Sequence, residues 1–398
     1  MEQYKLKEIT IKIGSGSTPR GGDSAYINEG ISLIRSQNVH DFIFSISGLA
    51  FINEAQALEL KNVTLEKDDI LVNITGDSVA RVCKVPDNIL PARVNQHVAI
   101  LRCNVEKLNS EFLKYYLLQP QVKNELLSLS SSGATRKALT KSMLEELNIT
   151  LPPLNEQEAI AEILSSLDDK IELNLQTNKT LEEMANALYK HWFVDGSQLQ
   201  STLSDYIELN PKLVLKQGIG APFVEMKSVE TNLLSVSNVD FEEFSSGSKF
   251  QNGDTLFARI TPCLENGKTA FVDFLKDDEI GFGSTEFLVM RAKRGISKYM
   301  IYCLSRDMNF RQFAISTMVG TSGRQRVQNE PFLKYDLPEI NIETHNNFNE
   351  QVDPWFKNIR ANTIENQILK QTRDYLLPKL ISGEIRVNEA RKAVKELI

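Results

Sequence analysis

The chain has 398 residues, of which 41% are hydrophobic and 24% are charged, and its formal net charge is −7. This length predicts two or three domains of ordinary globular composition, and no apolar run is long enough to cross a membrane. Most of the excess negative charge lies between residues 151 and 200. The other segments are therefore nearly neutral, and a DNA-binding face is not excluded.

The first residues of the chain, MEQYKLKEITIK, lack the apolar core of a secretory signal. Cys83, Cys103, Cys263 and Cys303 contain no CxxC pair and do not cluster with the four histidines. We therefore expect buried free thiols rather than disulfides or a metal site. Both observations predict a cytoplasmic protein.

Residues 1–153 predict a first globular domain that mixes helices and strands. Short apolar or alternating runs at residues 31–34, 70–74 and 97–101 indicate strands, and a helix is expected over residues 110–118. A loop rich in Ser, Gly and Thr is expected at residues 128–135. The sequence LPPL at residues 151–154 closes the domain, because proline ends extended structure and is favoured at the start of a helix.

Residues 154–198 predict a long helix whose apolar positions alternate steps of four and three. This period of 3.5 residues is the seam of a coiled coil, and Asn at a seam position fixes the alignment of the partner helices. Asn174 and Asn178 are therefore predicted to set the register. The seam positions are Ile160, Leu164, Leu167, Ile171, Asn174, Asn178, Leu181, Ala185, Leu188 and Trp192.

The rest of the chain repeats this order about 188 residues later, with a second domain at residues 199–340 and a second seam helix at residues 341–398. Five of the ten seam pairs are identical, including Asn362 and Asn366, so the two helices are predicted to face each other. The second helix is expected to start at Pro354 and to end near Pro378, followed by a turn at Ser382-Gly383. Its seam positions are Phe348, Val352, Trp355, Ile359, Asn362, Asn366, Leu369, Arg373, Leu376 and Leu380.

Shorter segments upstream of the helices also recur, and they do so in the same order. The spacing is far longer than that of a solenoid repeat, so it predicts two duplicated domains. The matched segments are residues 36–39 with 236–239, 69–71 with 254–256, 98–102 with 287–291, and 132–136 with 320–324, together with Phe112, Tyr115 and Leu117 matched to Tyr299, Tyr302 and Leu304.

The chain shows no recognisable catalytic motif. Residues 14–19 (GSGSTP) resemble a phosphate-binding loop only superficially, because the GK[ST] ending is missing. Gly267-Lys268-Thr269 supplies that ending, but Pro262 stands where the motif requires glycine. An enzyme therefore remains an alternative that rests only on this tripeptide and on scattered carboxylates.

The ends of both helices resemble the ends of the two helical regions in specificity subunits of type I restriction-modification systems. These ends read LYKHWFVD at residues 188–195 and LLPKLISGEI at residues 376–385. The helix entry LPPLNEQ at residues 151–157 and the motif at residues 14–19 are similar to the same family. The second entry, LPEINIE at residues 337–343, departs from the pattern.

This resemblance implies an α+β protein with two duplicated target-recognition domains, separated by two long helices that form an antiparallel coiled coil with pseudo-two-fold symmetry. Each domain would read one half of a bipartite double-stranded DNA target, and the coil would fix their spacing. The chain would have no catalytic activity and no cofactor of its own. It would recruit two methyltransferase (modification) subunits and, through them, restriction subunits, which would bind S-adenosylmethionine, ATP and Mg²⁺. A coiled-coil scaffold without sequence-specific DNA binding is the alternative.

DNA contacts are expected from basic, amide and hydroxyl side chains on the loops between strands. Tyr189, Phe193 and Tyr375 lie off the seam and are predicted to anchor the partner subunits. The candidates for DNA contact are Ser17, Thr18, Arg20, Arg35, Gln37, Asn38, Arg81, Arg93, Asn95, Gln96, Arg136 and Lys137 in the first domain, and Ser237, Asn238, Arg259, Lys268, Thr285, Arg324, Gln325 and Arg326 in the second.

Overall fold

The computed structural model describes residues 2–398 except for 132–136, 196–198, 232, 237, 322 and 340. It divides into two compact units, one comprising Met1–Ile171 with Ile368–Ile398 and the other comprising Glu172–Gln367. Each of the two long helices contributes one part to each unit.

The first unit contains two small sheets and a strand pair, with strand orders β2-β8-β5-β6, β4-β3-β7 and β1-β9. All pairings are antiparallel except β3 with β7. The elements are β1 (Glu2–Lys5), β2 (Thr10–Ser15), β3 (Ile31–Ile34), β4 (Ala50–Ile52), α1 (Glu54–Glu59), β5 (Ile70–Asn73), β6 (Val82–Lys84), β7 (Ala92–Val94), β8 (Val98–Cys103), α2 (Ser110–Leu118), α3 (Pro120–Ser131), α4 (Lys141–Glu145), β9 (Asn148–Leu151) and the first part of α5 (Leu154–Phe193).

The second unit has the corresponding sheets in the orders β11-β18-β15-β16 and β13-β12-β17-β14, with the pairs β10-β21 and β19-β20. Its elements are β10 (Leu199–Thr202), α6 (Leu203–Tyr206), β11 (Ile207–Leu209), β12 (Gly220–Val224), β13 (Asp240–Glu243), β14 (Ser248–Phe250), β15 (Thr255–Ala258), β16 (Thr269–Phe271), β17 (Gly281–Gly283), β18 (Phe287–Ala292), α7 (Lys298–Arg306), α8 (Met308–Ser316), β19 (Met318–Val319), β20 (Arg326–Val327), α9 (Asn329–Phe332), β21 (Asp336–Pro338) and most of α10 (Ile342–Ser382). After α10, α11 (Val387–Leu397) belongs to the first unit.

The predicted duplication is confirmed by these strand orders. The central strand β12 pairs in parallel with β17, as β3 does with β7, and each of β12 and β3 is followed by a short 3-10 helix. The predicted helix at residues 110–118 and the predicted strands near residues 31–34, 70–74 and 97–101 are also present. The predicted loop at residues 128–135 is wrong in its first part, because α3 continues to Ser131, and residues 132–136 lie outside the described part of the chain.

In each unit an ion pair with a buried aspartate ties together the two central strands of one sheet, β2-β8-β5-β6 in the first unit and β11-β18-β15-β16 in the second. In the first unit Arg102 donates to both carboxylate oxygens of Asp69, over 2.7 and 2.8 Å. In the second unit Arg291 donates to both oxygens of Asp254, each over 2.7 Å. The sequence matches at residues 69–71 with 254–256 and at 98–102 with 287–291 therefore mark equivalent positions in three dimensions.

The match between residues 36–39 and residues 236–239 is wrong. In the structure the 3-10 helix Ser36–Asn38 corresponds to Met226–Ser228, because each follows the strand, β3 or β12, that pairs with one antiparallel and one parallel neighbour. The counterpart of the exposed Gln37 is therefore Lys227, whose side chain is also exposed. Short identities of this kind do not establish register unless the strands around them also align.

The two long helices extend further than the proline positions predict. The first, α5, runs over 40 residues and the second, α10, over 41 residues. The predicted start at Pro354 is wrong, because α10 begins at Ile342, and its end at Ser382 lies four residues after Pro378. The predicted turn is confirmed, because Gly383 directly follows the helix with a φ of 78°, a conformation that favours glycine.

Pro354 is tolerated inside α10 because tertiary packing outweighs the loss of one helical hydrogen bond. Phe348 and Val352 before it, and Phe356 after it, are all buried in the core of the second unit. Their burial keeps the helix continuous through Pro354.

Within each unit the two long helices run antiparallel. In the second unit Asn174 donates to Asn366 over 2.9 Å, and Asn362 donates to Asn178 over 2.8 Å. The structure therefore places all four predicted seam asparagines in amide-to-amide pairs, while their role in selecting the register stays a prediction. Seam residues of the first unit, such as Leu164 and Leu376, are buried.

The glutamine of the helix-entry motif has a structural role. Gln157 donates to the carbonyl of Pro152 over 2.9 Å and accepts from the backbone N–H of Asn109 over 3.0 Å. His345 occupies the equivalent place 188 residues later, where its Nδ1 accepts from the backbone N–H of Ser297 over 3.4 Å. Asn109 and Ser297 are the N-caps of α2 and α7, so each long helix begins by fixing the start of a domain helix.

Two further properties bear on function. Among the residues that the structure describes, no helix is both long enough and apolar enough to cross a membrane. The four cysteines are free, and three are buried as predicted, whereas Cys263 is only half-buried. Burial raises the pKa of Cys83 to about 12, so this thiol is not reactive.

Candidate DNA-binding surface

In the first unit, separate loops meet where the strands of the two sheets end. The backbone N–H of Ser17 donates to Val94 O and that of Asn95 to Ile34 O, each over 2.9 Å. These bonds bring the loop after β2 beside the ends of β3 and β7. We call the surface formed by residues 16–20, 35–40, 75–81, 95–97 and 137 the first strand-end surface.

The remaining two loops join this surface through β5. Ile74 donates to the carbonyl of His97 over 2.9 Å, and Gly76 donates to that of Lys137 over 3.1 Å. Thr75 also forms an isolated bridge with Ala138. Residues that are far apart in the sequence therefore share one edge, as the predicted set of DNA contacts requires.

Three side chains on this surface were missed by the sequence analysis. Thr75 Oγ1 and His97 Nδ1 are hydrogen bonded at 2.7 Å, and Gln96 lies 3.1 Å from the other ring nitrogen of His97. His40 Nδ1 lies 3.5 Å from Arg81 Nη1. The adjacency of His97 to Gln96 in the sequence is a signal that would have identified it.

Three predicted contacts are instead structural, because their polar atoms are used within the fold. Asn38 is buried and accepts from the backbone N–H of Arg35 while donating to Ser45 O. Asn95 is buried and accepts from the backbone of His97. Arg93 donates to two backbone carbonyls, of Ala57 and Ala92. The burial of Asn38 and Asn95 contradicts direct DNA contact by their side chains, whereas contact by the half-buried Arg93 stays a prediction.

Arg35 makes contacts within the fold, and the hydroxyl of Thr18 is buried in it. Arg35 donates to Gly48 O over 2.7 Å and lies over the ring of Tyr26 at 5.2 Å. The hydroxyl of Thr18 is buried and has no hydrogen-bond partner among the described residues. Arg136 lies outside the described residues. The predicted contacts that remain exposed or half-exposed are Ser17, Arg20, Gln37, Arg81, Gln96 and Lys137.

The second unit builds the equivalent surface from equivalent connections. Ile260 forms an isolated bridge with Arg326, as Thr75 does with Ala138. Arg259 donates through its backbone to Glu286 O over 2.9 Å, and Ser284 donates to Val224 O over 3.2 Å. We call residues 225–228, 259–261, 284–286 and 324–326 the second strand-end surface.

Arg326 is not a free cation on this surface. Its guanidinium forms a double hydrogen bond with the Glu286 carboxylate, with distances of 2.6–3.0 Å. Because a carboxylate already neutralises this exposed side chain, phosphate binding by Arg326 would require exchange of that partner, and it stays a prediction. Arg324 is exposed, so it remains the cation of this loop that is available for phosphate.

The other predicted residues of the second unit also fall into two groups, those bonded within the fold and those that are exposed. The side chain of Arg259 donates to Val327 O and that of Lys268 donates to Met226 O, so each is held by a backbone carbonyl. Asn238 donates to Asp240, and Ser237 lies outside the described residues. Thr285 is exposed and Gln325 half-exposed, and both stay candidates. Lys227 is exposed but ion-paired with Glu225.

Two of the three predicted partner contacts are buried. Tyr189 and Phe193 stack at 5.9 Å in the core of the second unit, where Phe193 also packs at 5.0 Å against Phe348. Positions off the seam were expected to face a partner, but the second domain covers them. The prediction is therefore wrong for these two residues. Tyr375 is 58% exposed, with the Lys379 ammonium 4.6 Å from its ring centre, and it stays a prediction.

Comparison with known proteins finds similarity to one family. The profile of the type I restriction modification DNA specificity domain matches residues 1–183. The MjaIX specificity subunit of Methanocaldococcus jannaschii is 25% identical over 97% of this chain and 93% of its own length. The EcoKI specificity subunit of Escherichia coli is 25% identical over 59% of this chain and 56% of its own. The DNA specificity domain thus covers the first 183 residues, and nearly the whole chain is similar to a type I restriction enzyme specificity subunit.

The fold of the chain is also that of a solved structure. The S subunit of the type I restriction-modification system from M. genitalium has a TM-score of 0.54 and 16% identity, with 95% of each chain covered. The mixed α and β architecture with two long helices, predicted from the repeat and the family resemblance, is confirmed. The similarity to DNA specificity subunits favours DNA specificity over a scaffold that does not recognise DNA.

Within the described ranges, no three His, Cys, Asp or Glu side chains come together as a metal site would require.

Proposed function

We propose that this chain is the DNA-specificity subunit of a type I restriction-modification enzyme, and that each strand-end surface reads one half of a bipartite target. The duplicated placement of these surfaces at the ends of equivalent strands is the observation that carries this assignment. The chain itself would be non-catalytic. S-adenosylmethionine, ATP and Mg²⁺ would be bound by the methyltransferase and restriction subunits.

The exposed side chains suit two kinds of contact. Arg81 and Lys137 on the first surface, and Arg324 on the second, provide cations for phosphate oxygens, which fix the position of the protein on the duplex. Gln37 and Gln96 provide amides, which can donate to and accept from base edges in the major groove. Both contact types are present in the first domain, which is the minimum for sequence-specific binding.

Mapping of methylated adenines tests this assignment directly. In a host that carries this chain with its modification subunits, we expect one bipartite motif with a fixed gap, and we expect its methylation to disappear when the chain is deleted. Loss of an unrelated protein should leave the map unchanged. Methylation of the same motif after deletion would show that another subunit reads the target.

Removing the two basic side chains of the first surface should weaken DNA binding through phosphate contacts. For Arg81→Ala with Lys137→Ala, we expect the slope of log affinity against log salt to fall by about 1.8, since each phosphate contact contributes about 0.9. The assembled complex is titrated with a duplex containing the mapped motif. Lys141→Ala, which removes an exposed lysine of α4 outside this surface, should leave the slope unchanged. An unchanged slope in the double variant would remove Arg81 and Lys137 from the interface.

The coiled coil is proposed to fix the spacing of the two domains and to recruit two modification subunits. Tyr375 on α10 remains exposed, as do Leu173 and Met184 on α5, so apolar side chains are available for a protein partner on both helices. Mass measurement of the assembled methyltransferase should give two modification subunits for each copy of this chain. Saturation at one modification subunit would contradict the duplicated docking arrangement.

A further inference from the structure

A tight turn of the first unit connects the strand-end surface to the long helices. Val39 and Phe44 pair as an isolated bridge, and His40 donates to Ile43 O over 3.1 Å, which closes the turn at residues 40–43. Gln37 and His40 lie on the strand-end surface at the base of this turn. Asp41 and Phe42 form its tip.

The tip has a conformation that Phe does not favour by itself. Phe42 has a φ of 67°, in the left-handed region that bulky side chains rarely adopt. Such a residue persists only where its surroundings impose the conformation. The surroundings here are the guanidinium of Arg373, which lies 3.5 Å from the centre of the Phe42 ring, and Lys123, which is ion-paired with Asp41.

Arg373 is itself held by the helices around it. It is only 6% exposed and donates to Asp168 on α5 over 2.7 Å. The hydroxyl of Tyr115 on α2 donates to the other oxygen of the same carboxylate over 2.6 Å. A tyrosine, a carboxylate and an arginine thus connect α2, α5 and α10 to the tip of the turn.

The same group of side chains recurs in the second unit. Tyr302, the repeat equivalent of Tyr115, donates to Glu182 on α5 over 2.7 Å. Glu182 pairs with Arg306 Nε at 3.1 Å, and Arg306 Nη1 donates to Thr231 O over 2.9 Å. Thr231 lies in the equivalent turn, which the bridge between Val229 and Val236 closes.

The two arginines are not equivalent in the repeat. Arg373 belongs to α10 and Arg306 to α7, and the carboxylates Asp168 and Glu182 also occupy different positions along α5. The sequence repeat therefore does not by itself explain why both clusters reach the same turn. In both units a group of a tyrosine, a carboxylate and an arginine reaches the turn, although the arginines and carboxylates come from different positions. This indicates that both domains require the turn to be held in place.

We propose that Phe42 with Arg373, and Arg306 in the second unit, are positioning residues that fix the DNA-facing segments to the long helices. This rests on the proposed function, because positioning matters only if these segments recognise DNA. Base discrimination in each half of the target then depends on the cluster of its own domain. The segments concerned are residues 35–40 in the first domain and residues 225–228 in the second.

The test is selection from a DNA library by the assembled complex, followed by affinity measurements on the selected duplexes. Phe42→Ala should reduce discrimination against mismatches in one half of the target by about tenfold, within the range that a single base contact supplies. The salt slope should stay unchanged, because no phosphate-binding cation is lost. Arg306→Lys should relax the other half only, because lysine keeps the charge but cannot bind Glu182 and Thr231 together.

Two further variants distinguish positioning from a general loss of stability. Phe42→Gly accepts the left-handed conformation without strain but also lacks the ring, so it should relax the same half as Phe42→Ala. Ile43→Ala removes an apolar side chain from the next position of the same turn and should leave discrimination unchanged. Wild-type discrimination in Phe42→Gly, or relaxation of both halves in Phe42→Ala, would overturn the proposal. If the wild-type complex selected no bipartite sequence, the proposed function itself would fail.

Discussion

Replacing Asp69 or Asp254 by alanine is expected to lower the free energy of unfolding of its own unit by about 3–5 kcal/mol. Both carboxylates are fully buried, at 0% and 1% exposure, and each receives two hydrogen bonds from one arginine. Removing the carboxylate takes two charge-assisted hydrogen bonds from Arg102 or Arg291, and it leaves the backbone N–H of Glu66 or Gln251 without its acceptor. A buried ion pair contributes little relative to apolar packing, but breaking it from one side is costly.

The two tryptophans allow the two units to be observed separately. Trp192 and Trp355 both pack in the core of the second unit, and the chain has two tryptophans in total. In urea, Asp254→Ala should therefore shift the transition seen by tryptophan fluorescence, whereas Asp69→Ala should shift the transition seen by circular dichroism. Glu183→Ala, which removes an exposed pair with Lys179, should change stability by less than about 1 kcal/mol. Similar small changes in all three variants would contradict a structural role for the buried pairs.

These ion pairs also show why the duplication was recognisable from the sequence. An Asp at the start of one buried strand and an Arg in the next must stay together, so both positions recur with nearly the same spacing. The seam asparagines recur for the same reason, since each needs an amide on the facing helix. Features that depend on a local period or on a repeated pair were therefore predictable.

Features that depend on distant neighbours were not predictable. The sequence gives no sign of a partner for Arg326, but the carboxylate of Glu286, which is 40 residues away in the sequence, forms an ion pair with it. Tyr189 and Phe193 lie off the coiled-coil seam, yet the core of the second domain covers them. The start of α10 was misplaced because Pro354 is a strong local signal for a helix boundary, and the buried faces of three nearby residues outweighed it.

The placement of charge explains how an acidic chain can bind DNA. The excess negative charge is concentrated in α5, whereas Arg20, Arg81 and Lys137 are on the first strand-end surface. Their positions at the ends of strands keep the cations together although they are far apart in the sequence. Local charge on a binding face, rather than net charge, decides whether phosphate is attracted.

Acid sensitivity of the second unit is expected to arise from His345. This side chain is fully buried, and burial lowers its pKa from 6.5 to about 4. The N–H of Ser297 points at Nδ1, so the ring is held in its neutral form with the proton on Nε2. The folded state therefore disfavours protonation, whereas the unfolded state accepts a proton near pH 6.5. Stability should be lost as the pH falls from 6.5 towards 4.

The size of this effect follows from the pKa difference and amounts to about 3 kcal/mol at pH 4. Asp273, whose pKa burial raises to about 6, acts in the opposite direction, because its protonated form is favoured in the folded state. The measurement is therefore the difference in free energy of unfolding between wild type and His345→Gln, followed by tryptophan fluorescence from pH 7 to pH 4.

Glutamine is the matched replacement because Gln157 performs the same task in the first unit, where its side-chain carbonyl accepts from the N–H of Asn109. His345→Gln should therefore preserve the contact with Ser297 while removing the titrating group. Asp273 is present in both proteins, so its contribution cancels in the difference. The variant should gain stability relative to wild type progressively below pH 6.5. A difference that stayed constant between pH 7 and pH 4 would show that His345 does not titrate on unfolding, and the acid sensitivity would have to come from the carboxylates.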